Sequence, residues 1–134
     1  MSPDFLSVDE VVELHRIQVE RCGGSDGVHD LGLLASAVVQ PQTAFSGEFL
    51  HEDLFAMAAA YLFHIIKNHP FVDGNKRTGF VSSPAFLELN GLTLKEAPSQ
   101  GLYALTLAVA EGRMGKAELA EAFRGLPWGP TSGA

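Results

Sequence analysis

The sequence has little cysteine and few positive charges, and both shortages narrow the classes of protein to which it can belong. Only Cys22 among the 134 residues is a cysteine, so no intrachain disulfide can form. This usage favours a reducing compartment. Nine Lys and Arg residues stand against 16 Asp and Glu, which gives a formal net charge of −7. Because a duplex-binding surface usually needs a basic face, we expect no nucleic acid as a partner.

The sequence also lacks a long apolar run. The longest one, residues 56–66, is far shorter than the roughly 20 residues that span a membrane. The first residues carry acidic side chains and no apolar run, unlike a secretory signal. We therefore expect a cytoplasmic protein without membrane contact. Hydrophobic residues make up 46% of the chain, enough for the core of one domain. We expect that domain at 1–125 and a flexible tail at 126–134.

Hydrophobic spacing and turn residues predict an all-α fold. Ser7 followed by Glu10 forms a capping box for the first helix, and Asp30 can cap the second. The third helix is apolar almost all round, as a central buried helix would be. The first helix starts at residue 8 and ends before the loop 22–27, and the others span 31–39, 52–67, 75–90, 99–111 (capped by Ser99) and 116–124. We predict a bundle of about six helices, with a small flap or hairpin at 42–50 between the second and third helices.

The residues that carry chemistry lie between the third and fourth helices, in the segment His69 to Thr78, HPFVDGNKRT. His69 precedes a proline, which moves it out of the helical region and places it just beyond the third helix. Gly74 allows a positive φ or a close approach to a ligand. The amides from Gly74 to Arg77 then open the fourth helix. Free amides at a helix N-terminus, together with the helix dipole, form an anion site.

The charges of this segment indicate the same chemistry. Lys76 and Arg77 oppose the helix dipole, and a bound polyphosphate would compensate for that conflict. Asp73 beside such phosphates suits Mg²⁺, and the imidazole of His69 suits a base that accepts a proton from a hydroxyl. Taken singly, His69 is typical of a turn histidine and the two cations of a solvated surface. Together they predict a nucleotide-dependent transferase that acts on a hydroxyl.

The segment resembles the motif His-x-Phe-x-(Asp/Glu)-x-Asn-(Gly/Lys)-Arg of the Fic/Doc family, and it matches every defined position. Residues 23–34 are similar to the N-terminal signature of the Doc (death-on-curing) branch. Residues 41–45 are similar to the entrance of that branch's flap. The resemblance extends over 5–123 and implies a Fic/Doc-type helical bundle.

The resemblance also implies roles for individual residues. His69 would be the catalytic base, Phe71 the anchor of the loop, and Asp73 the ligand of Mg²⁺. Lys67 lies where Doc proteins carry a basic residue, although it fits equally well as a cation at the C-terminus of the third helix. The implied phosphate-binding residues are Gly74, Asn75, Lys76 and Arg77, with the amides around Gly74 forming the anion hole.

Departures from the motif distinguish between two reactions. Members that transfer AMP usually have Gly where this chain has Lys76, and a second Arg where it has Phe80. Both departures favour the Doc branch, for which the resemblance implies transfer of the γ-phosphate of ATP to a threonine of elongation factor Tu, which stops translation. Gly74 is shared with the AMP-transferring members, so AMP transfer stays an alternative. An inactive peptide-binding module is a third reading. The resemblance further implies a Phd-like antitoxin whose disordered segment folds onto the toxin.

Overall fold

The computed structural model describes residues 2–95 and 100–132. Within these ranges the chain forms six α-helices, one short 3-10 helix (Gln40–Gln42) and four short strands. The helices are α1 (Val8–Cys22), α2 (Leu31–Val39), α3 (Leu54–Asn68), α4 (Asn75–Leu89), α5 (Gln100–Ala110) and α6 (Lys116–Arg124). The strands are β1 (Ala44–Phe45), β2 (Glu48–Phe49), β3 (Leu92–Leu94) and β4 (Trp128–Pro130). The prediction of an all-α bundle is confirmed. No helix in the described ranges has the length and apolar character to cross a membrane.

Helix α3 is the centre of the bundle and packs against α2, α4 and α6. Its buried residues lie on all sides, and they are Ala56, Met57, Ala58, Ala59, Ala60, Tyr61, Leu62 and Ile65. The alanines let neighbouring helices approach closely, since only a methyl group stands between the backbones. Tyr61 adds a buried hydrogen bond, in which its hydroxyl accepts from the N–H of Leu6 at 2.8 Å. Burial raises the pKa of Tyr61 to about 12. The predicted central helix is therefore confirmed.

The helix caps follow the sequence signals. The Ser7 hydroxyl accepts the N–H of Glu10 at 3.1 Å, and the Glu10 carboxylate accepts the N–H of Ser7 at 2.9 Å. The Asp30 carboxylate accepts the N–H of Leu33 at 2.9 Å. Each bond satisfies an amide that has no partner within its helix. Ser99, the expected cap of α5, lies outside the described residues.

The predicted flap is a tight hairpin. Ala44 pairs with Phe49, and Phe45 pairs with Glu48. The two turn residues, Ser46 and Gly47, both have positive φ, at 52° and 82°. Such a turn has the twist that joins two antiparallel strands. Phe45 leaves 81% of its surface exposed at the tip of this flap.

Within the expected tail, 126–134, the structure places a short strand at residues 128–130. These residues form β4, which pairs antiparallel with β3. The indole N–H of Trp128 donates to the carbonyl of Phe123 at 2.6 Å, and its ring lies 6.1 Å from that of Phe55. A tryptophan with both apolar contacts and a hydrogen-bond partner stabilises a chain end that glycine and proline would otherwise leave free.

Candidate active site

The loop between α3 and α4 opens into a cavity of about 790 Å³. That volume is typical of sites that bind small molecules. Helices α1 and α5 supply its other walls. Six of the residues singled out in the sequence line it, namely His69, Asp73, Gly74, Asn75, Lys76 and Arg77. The fold thus brings most of the candidate site together, and two candidates, Lys67 and Phe71, do not line the cavity.

His69 ends α3 in an unusual backbone conformation. Its φ of 50° and ψ of 52° are left-handed, and its N–H still bonds to the carbonyl of Ile65. For a residue other than glycine this conformation costs about 1–2 kcal/mol. The sequence predicted only that His69 leaves the helix, because a following proline disfavours the right-handed region. The left-handed conformation differs from the extended one that a residue before proline usually adopts. The imidazole is exposed, and no described residue donates to it or accepts from it. It is therefore available to a ligand.

The N-terminus of α4 presents free amides to the cavity. Gly74 precedes the helix with a φ of 80°, and the first intrahelical bond runs from the N–H of Thr78 to the carbonyl of Gly74 at 2.9 Å. The amides of residues 75–77 come before that bond and point out of the helix end. Gly74 differs from the expectation, because its own N–H donates to the Asp73 carboxylate at 2.8 Å. The free amides at this helix end are therefore those of residues 75–77.

Asn75 is turned into the protein rather than towards the cavity. Its side-chain oxygen accepts the N–H of Phe71 at 2.9 Å, and its NH₂ donates to the carbonyl of Phe71 at 3.0 Å. Asn75 is 5% exposed and Phe71 is fully buried. Buried backbone groups in an irregular loop need such partners, and an amide side chain offers both a donor and an acceptor. The Asn75 side chain is therefore engaged with Phe71, and its backbone amide is the group that it presents at the helix end.

The end of α1 and the loop that follows it contact two residues that line the cavity. The Arg77 guanidinium donates to the carbonyls of Gly23 at 3.1 Å and Cys22 at 3.4 Å. The Asp73 carboxylate accepts the N–H of Ser25 at 3.3 Å. These contacts hold one cation and one anion of the motif against the end of α1. A guanidinium also stabilises that end, where helix carbonyls lack partners.

Two residues of the site escaped the sequence reasoning, and both come from α1 or its end. Gly24, seen only as part of a signature, has a φ of +112°, and a Cβ there would lie 2.6 Å from Asp73 Oδ2. His15 is 1% exposed, and its Nε2 lies 2.7 Å from the carbonyl oxygen of Asp73. The available signal for His15 was a polar residue one turn after the buried Val11, on the apolar face of the helix.

Asp73 is the residue that fits a divalent cation. Its carboxylate is exposed and lies beside the free amides of α4. Within the described ranges, no three His, Cys, Asp or Glu side chains form a cluster that could hold a metal. A cation here would need most of its oxygen ligands from a bound molecule. That donor set fits Mg²⁺, which is commonly held by one or two carboxylates and the phosphates of a substrate.

Lys67 and Phe80 differ in their position relative to the cavity. The Lys67 ammonium lies 5.8 Å from the centroid of the Phe63 ring, outside the cavity lining. Lys67 thus lies in the last turn of α3, where a cation stabilises the helix end, and its role as a phosphate ligand stays a prediction. Phe80 lines the cavity about one turn after Arg77. It packs edge to face against Tyr103, with centroids 5.9 Å apart. The wall is therefore aromatic and uncharged at position 80.

Comparison with known proteins agrees with this site. The sequence profile of the Fic/DOC family matches residues 5–87. The chain is 32% identical to protein kinase doc of Escherichia phage P1 over 121 residues, which cover 90% of this chain and 94% of that protein. It is 43% identical to toxin Doc of Mycolicibacterium smegmatis over 72 residues, which cover 54% and 55% of the two chains. The chain belongs to the Fic/Doc family, in its Doc branch.

Proposed function

We propose that this chain is a Doc-like toxin that transfers the γ-phosphate of ATP to a hydroxyl of a protein, a threonine of elongation factor Tu, and so stops translation in the cytoplasm. One arrangement carries the proposal: the His69 imidazole, which has no partner among the described residues, shares a cavity with the free amides of residues 75–77 and two cations. Relatives named protein kinase doc and toxin Doc support it.

Each group of residues in the cavity has a separate role in phosphoryl transfer. The amides that open α4, together with Lys76 and Arg77, hold the phosphates and stabilise charge on their oxygens. Asp73 would hold Mg²⁺, which supplies neutralisation of phosphate charge when it is bound. His69 accepts the proton of the attacking hydroxyl. The new bond joins that oxygen to the γ-phosphorus, the bond from this phosphorus to the β–γ bridging oxygen breaks, and ADP leaves.

The cavity wall favours transfer of phosphate over transfer of AMP. In AMP transfer the leaving group is pyrophosphate, and the members that transfer AMP usually carry a second arginine at position 80, three residues after Arg77. Phe80 and Tyr103 offer no cation at that place. Lys76 instead adds a second cation beside Arg77 at the helix end. Gly74 is the observation that favours the second candidate, AMP transfer, because the AMP-transferring members share it.

Labelled ATP distinguishes the candidates. Elongation factor Tu is incubated with the protein, Mg²⁺ and ATP that is labelled at either the α or the γ position. We expect label in elongation factor Tu from the γ position only, and none with His69→Ala. Label from the α position only would establish AMP transfer instead. Absence of label from both, with growth inhibition that persists in His69→Ala, would identify a peptide-binding module.

A pair of lysines provides a matched control for the phosphate site. Lys76 lines the cavity and Lys67 does not, although both are exposed and flank the same loop. We expect Lys76→Ala to lower the rate of transfer by about 10–100-fold, as the loss of one charge-stabilising group does. Lys67→Ala should change it little. Equal losses in the two variants would contradict the assignment of Lys76.

We also propose a Phd-like antitoxin as the partner of this toxin. The name of the Mycolicibacterium relative supports a toxin, and such a toxin must be neutralised in the cell that makes it. The expected antitoxin is a small protein with a disordered segment encoded beside this chain. Co-expression of the neighbouring reading frame should restore growth and co-purify with this chain. Growth inhibition that persists during co-expression would contradict this partner.

A further inference from the structure

We propose that His15 is a positioning residue of the phosphate site, which acts through the peptide unit between Asp73 and Gly74. The proposal deepens the proposed function and rests on it, since it concerns the same site. His15 lies on α1, and 58 residues separate it from the motif loop in the sequence. It touches the loop with one nitrogen and one face of its ring.

The contacts of His15 are specific in both distance and direction. Its Nε2 lies 2.7 Å from the carbonyl oxygen of Asp73, and its ring stacks on that of Phe71 with centroids 3.9 Å apart and planes 6° from parallel. A carbonyl oxygen can only accept, so Nε2 must carry the proton. The other nitrogen, Nδ1, lies 3.7 Å from the carboxylate of Asp26. The ring is thus held in one orientation against the loop.

The peptide unit between Asp73 and Gly74 is held at both ends. Its oxygen accepts from His15, and its N–H donates to the Asp73 carboxylate at 2.8 Å. Because a peptide unit is planar, fixing its oxygen also fixes the direction of its N–H. The N–H in turn orients the carboxylate that would hold Mg²⁺. The same unit leads into Gly74, whose left-handed turn starts α4 and aims its free amides.

Rotation of this peptide unit would therefore displace the carboxylate and the anion hole together. Small displacements of groups that stabilise a transition state are costly, and misplacement by roughly 1 Å can reduce a rate by about 100-fold. A merely structural histidine, by contrast, would leave a folded variant fully active. A positioning histidine and a merely structural one therefore predict different activities for a folded variant that keeps a ring but lacks the hydrogen-bond donor.

Two substitutions in the full-length chain separate the donor from the ring. His15→Phe keeps a flat ring for Phe71 and removes the donor to Asp73. His15→Gln removes the ring but places an amide N–H near the former Nε2. The measurements are kcat and KM for transfer from ATP, with thermal unfolding to establish that each variant is folded. His64→Phe is the matched control, because His64 is a half-buried histidine outside the cavity.

We expect folded His15→Phe to lose about tenfold or more in kcat with little change in KM for the protein substrate. His15→Gln should keep kcat within about threefold, and His64→Phe should match the parent. If His15→Phe does not fold, His15→Met fills similar space without a donor and takes its place. A folded variant without the donor that is as active as the parent would overturn the proposal. So would a folded His15→Gln that is as impaired as His15→Phe.

The positioning role and the kinase reaction can fail separately. If the parent transfers AMP instead of phosphate, the kinase assignment fails, and the same variants are compared in AMP transfer. His15→Phe should then lose that activity and His15→Gln should keep it. If the parent transfers neither group, ATP binding measured by calorimetry becomes the readout. Weaker binding in His15→Phe than in His15→Gln supports the positioning role, and equal binding overturns it.

Discussion

Gly24 and Asp73 approach so closely that a Cβ at position 24 would lie 2.6 Å from Asp73 Oδ2 and 3.3 Å from an Arg77 nitrogen. The φ of Gly24, +112°, is also one that other residues rarely adopt. We expect Gly24→Ala to displace the carboxylate and lower the transfer rate by about 100-fold. We also expect it to lower the free energy of unfolding by about 1–3 kcal/mol, measured by urea denaturation.

Gly23→Ala is the control for this prediction. Gly23 also has a positive φ, +79°, but a Cβ there would meet nothing within 4 Å. Gly23→Ala should therefore show a cost in stability from backbone strain without the direct contact with Asp73. Its activity, measured at a temperature where both variants are folded, should exceed that of Gly24→Ala by at least about tenfold. Equal losses of activity would show that the contact between Gly24 and Asp73 is unimportant.

The left-handed backbone of His69 predicts a conflict between stability and activity. Glycine adopts this conformation without the steric penalty of a Cβ. We expect His69→Gly to raise the free energy of unfolding by up to about 1 kcal/mol while abolishing transfer. His69→Ala should also abolish transfer and should unfold more readily than His69→Gly. Thermal unfolding of the parent and both variants measures this. A parent more stable than His69→Gly would contradict the prediction.

Asn75 and Lys76 are neighbours whose substitutions should affect different properties. Asn75→Ala leaves the N–H and carbonyl of buried Phe71 without partners, so we expect a loss of about 2 kcal/mol in the free energy of unfolding. Lys76 is exposed, and Lys76→Ala should change stability by less than about 0.5 kcal/mol while reducing transfer. Chemical denaturation and transfer assays on the same preparations test this contrast. Similar stability in the two variants would refute it.

Two histidines with lowered pKa values, His51 and His64, predict a loss of stability in mild acid. Burial, then the charge of Lys116 and the proximity of His51, lowers the pKa of His64 to about 4. The Lys116 Nζ lies 3.1 Å from His64 Nε2. Burial, with the charge of Lys116, also lowers the pKa of His51. An unfolded histidine titrates near 6.5, so between these values the unfolded chain binds more protons than the folded chain.

Stability should therefore fall as the pH decreases from about 6.5 towards 4, by about 2 kcal/mol for His64. The effect is measured from the melting temperatures of the parent and of His64→Gln between pH 7 and pH 5. Carboxylates titrate mainly below this range, so they contribute little to the difference. The curve of His64→Gln should be the flatter of the two. Parallel curves would show that His64 contributes nothing to the pH dependence.

The sequence predicted those features that depend on neighbours along the chain. The capping box of Ser7 and Glu10, the apolar α3 and the turn residues of the flap are local patterns, and the structure confirms each. The segment 69–78 is local too, because a helix end and its preceding loop form one continuous stretch. Its interpretation as a kinase site stays a prediction.

Other features depend on contacts that no local pattern records. His15 touches the loop only because α1 packs against α4. The Trp128 ring packs against the rings of Phe55 and Phe123, which lie far from it or outside its local pattern. Its glycine- and proline-rich surroundings gave no sign of this packing and indicated a flexible tail. The motif also does not show that the Asn75 side chain is buried and bonded to the backbone of Phe71. In each case tertiary packing decides the role of the side chain.

The intact mass of elongation factor Tu after incubation with this protein, ATP and Mg²⁺ tests the central claim most directly. We predict that the mass increases by one phosphoryl group, that fragmentation places the group on a threonine, and that His69→Ala produces no increase. An increase equal to one AMP, or an unchanged mass with a parent protein that is folded and inhibits growth, would contradict the claim.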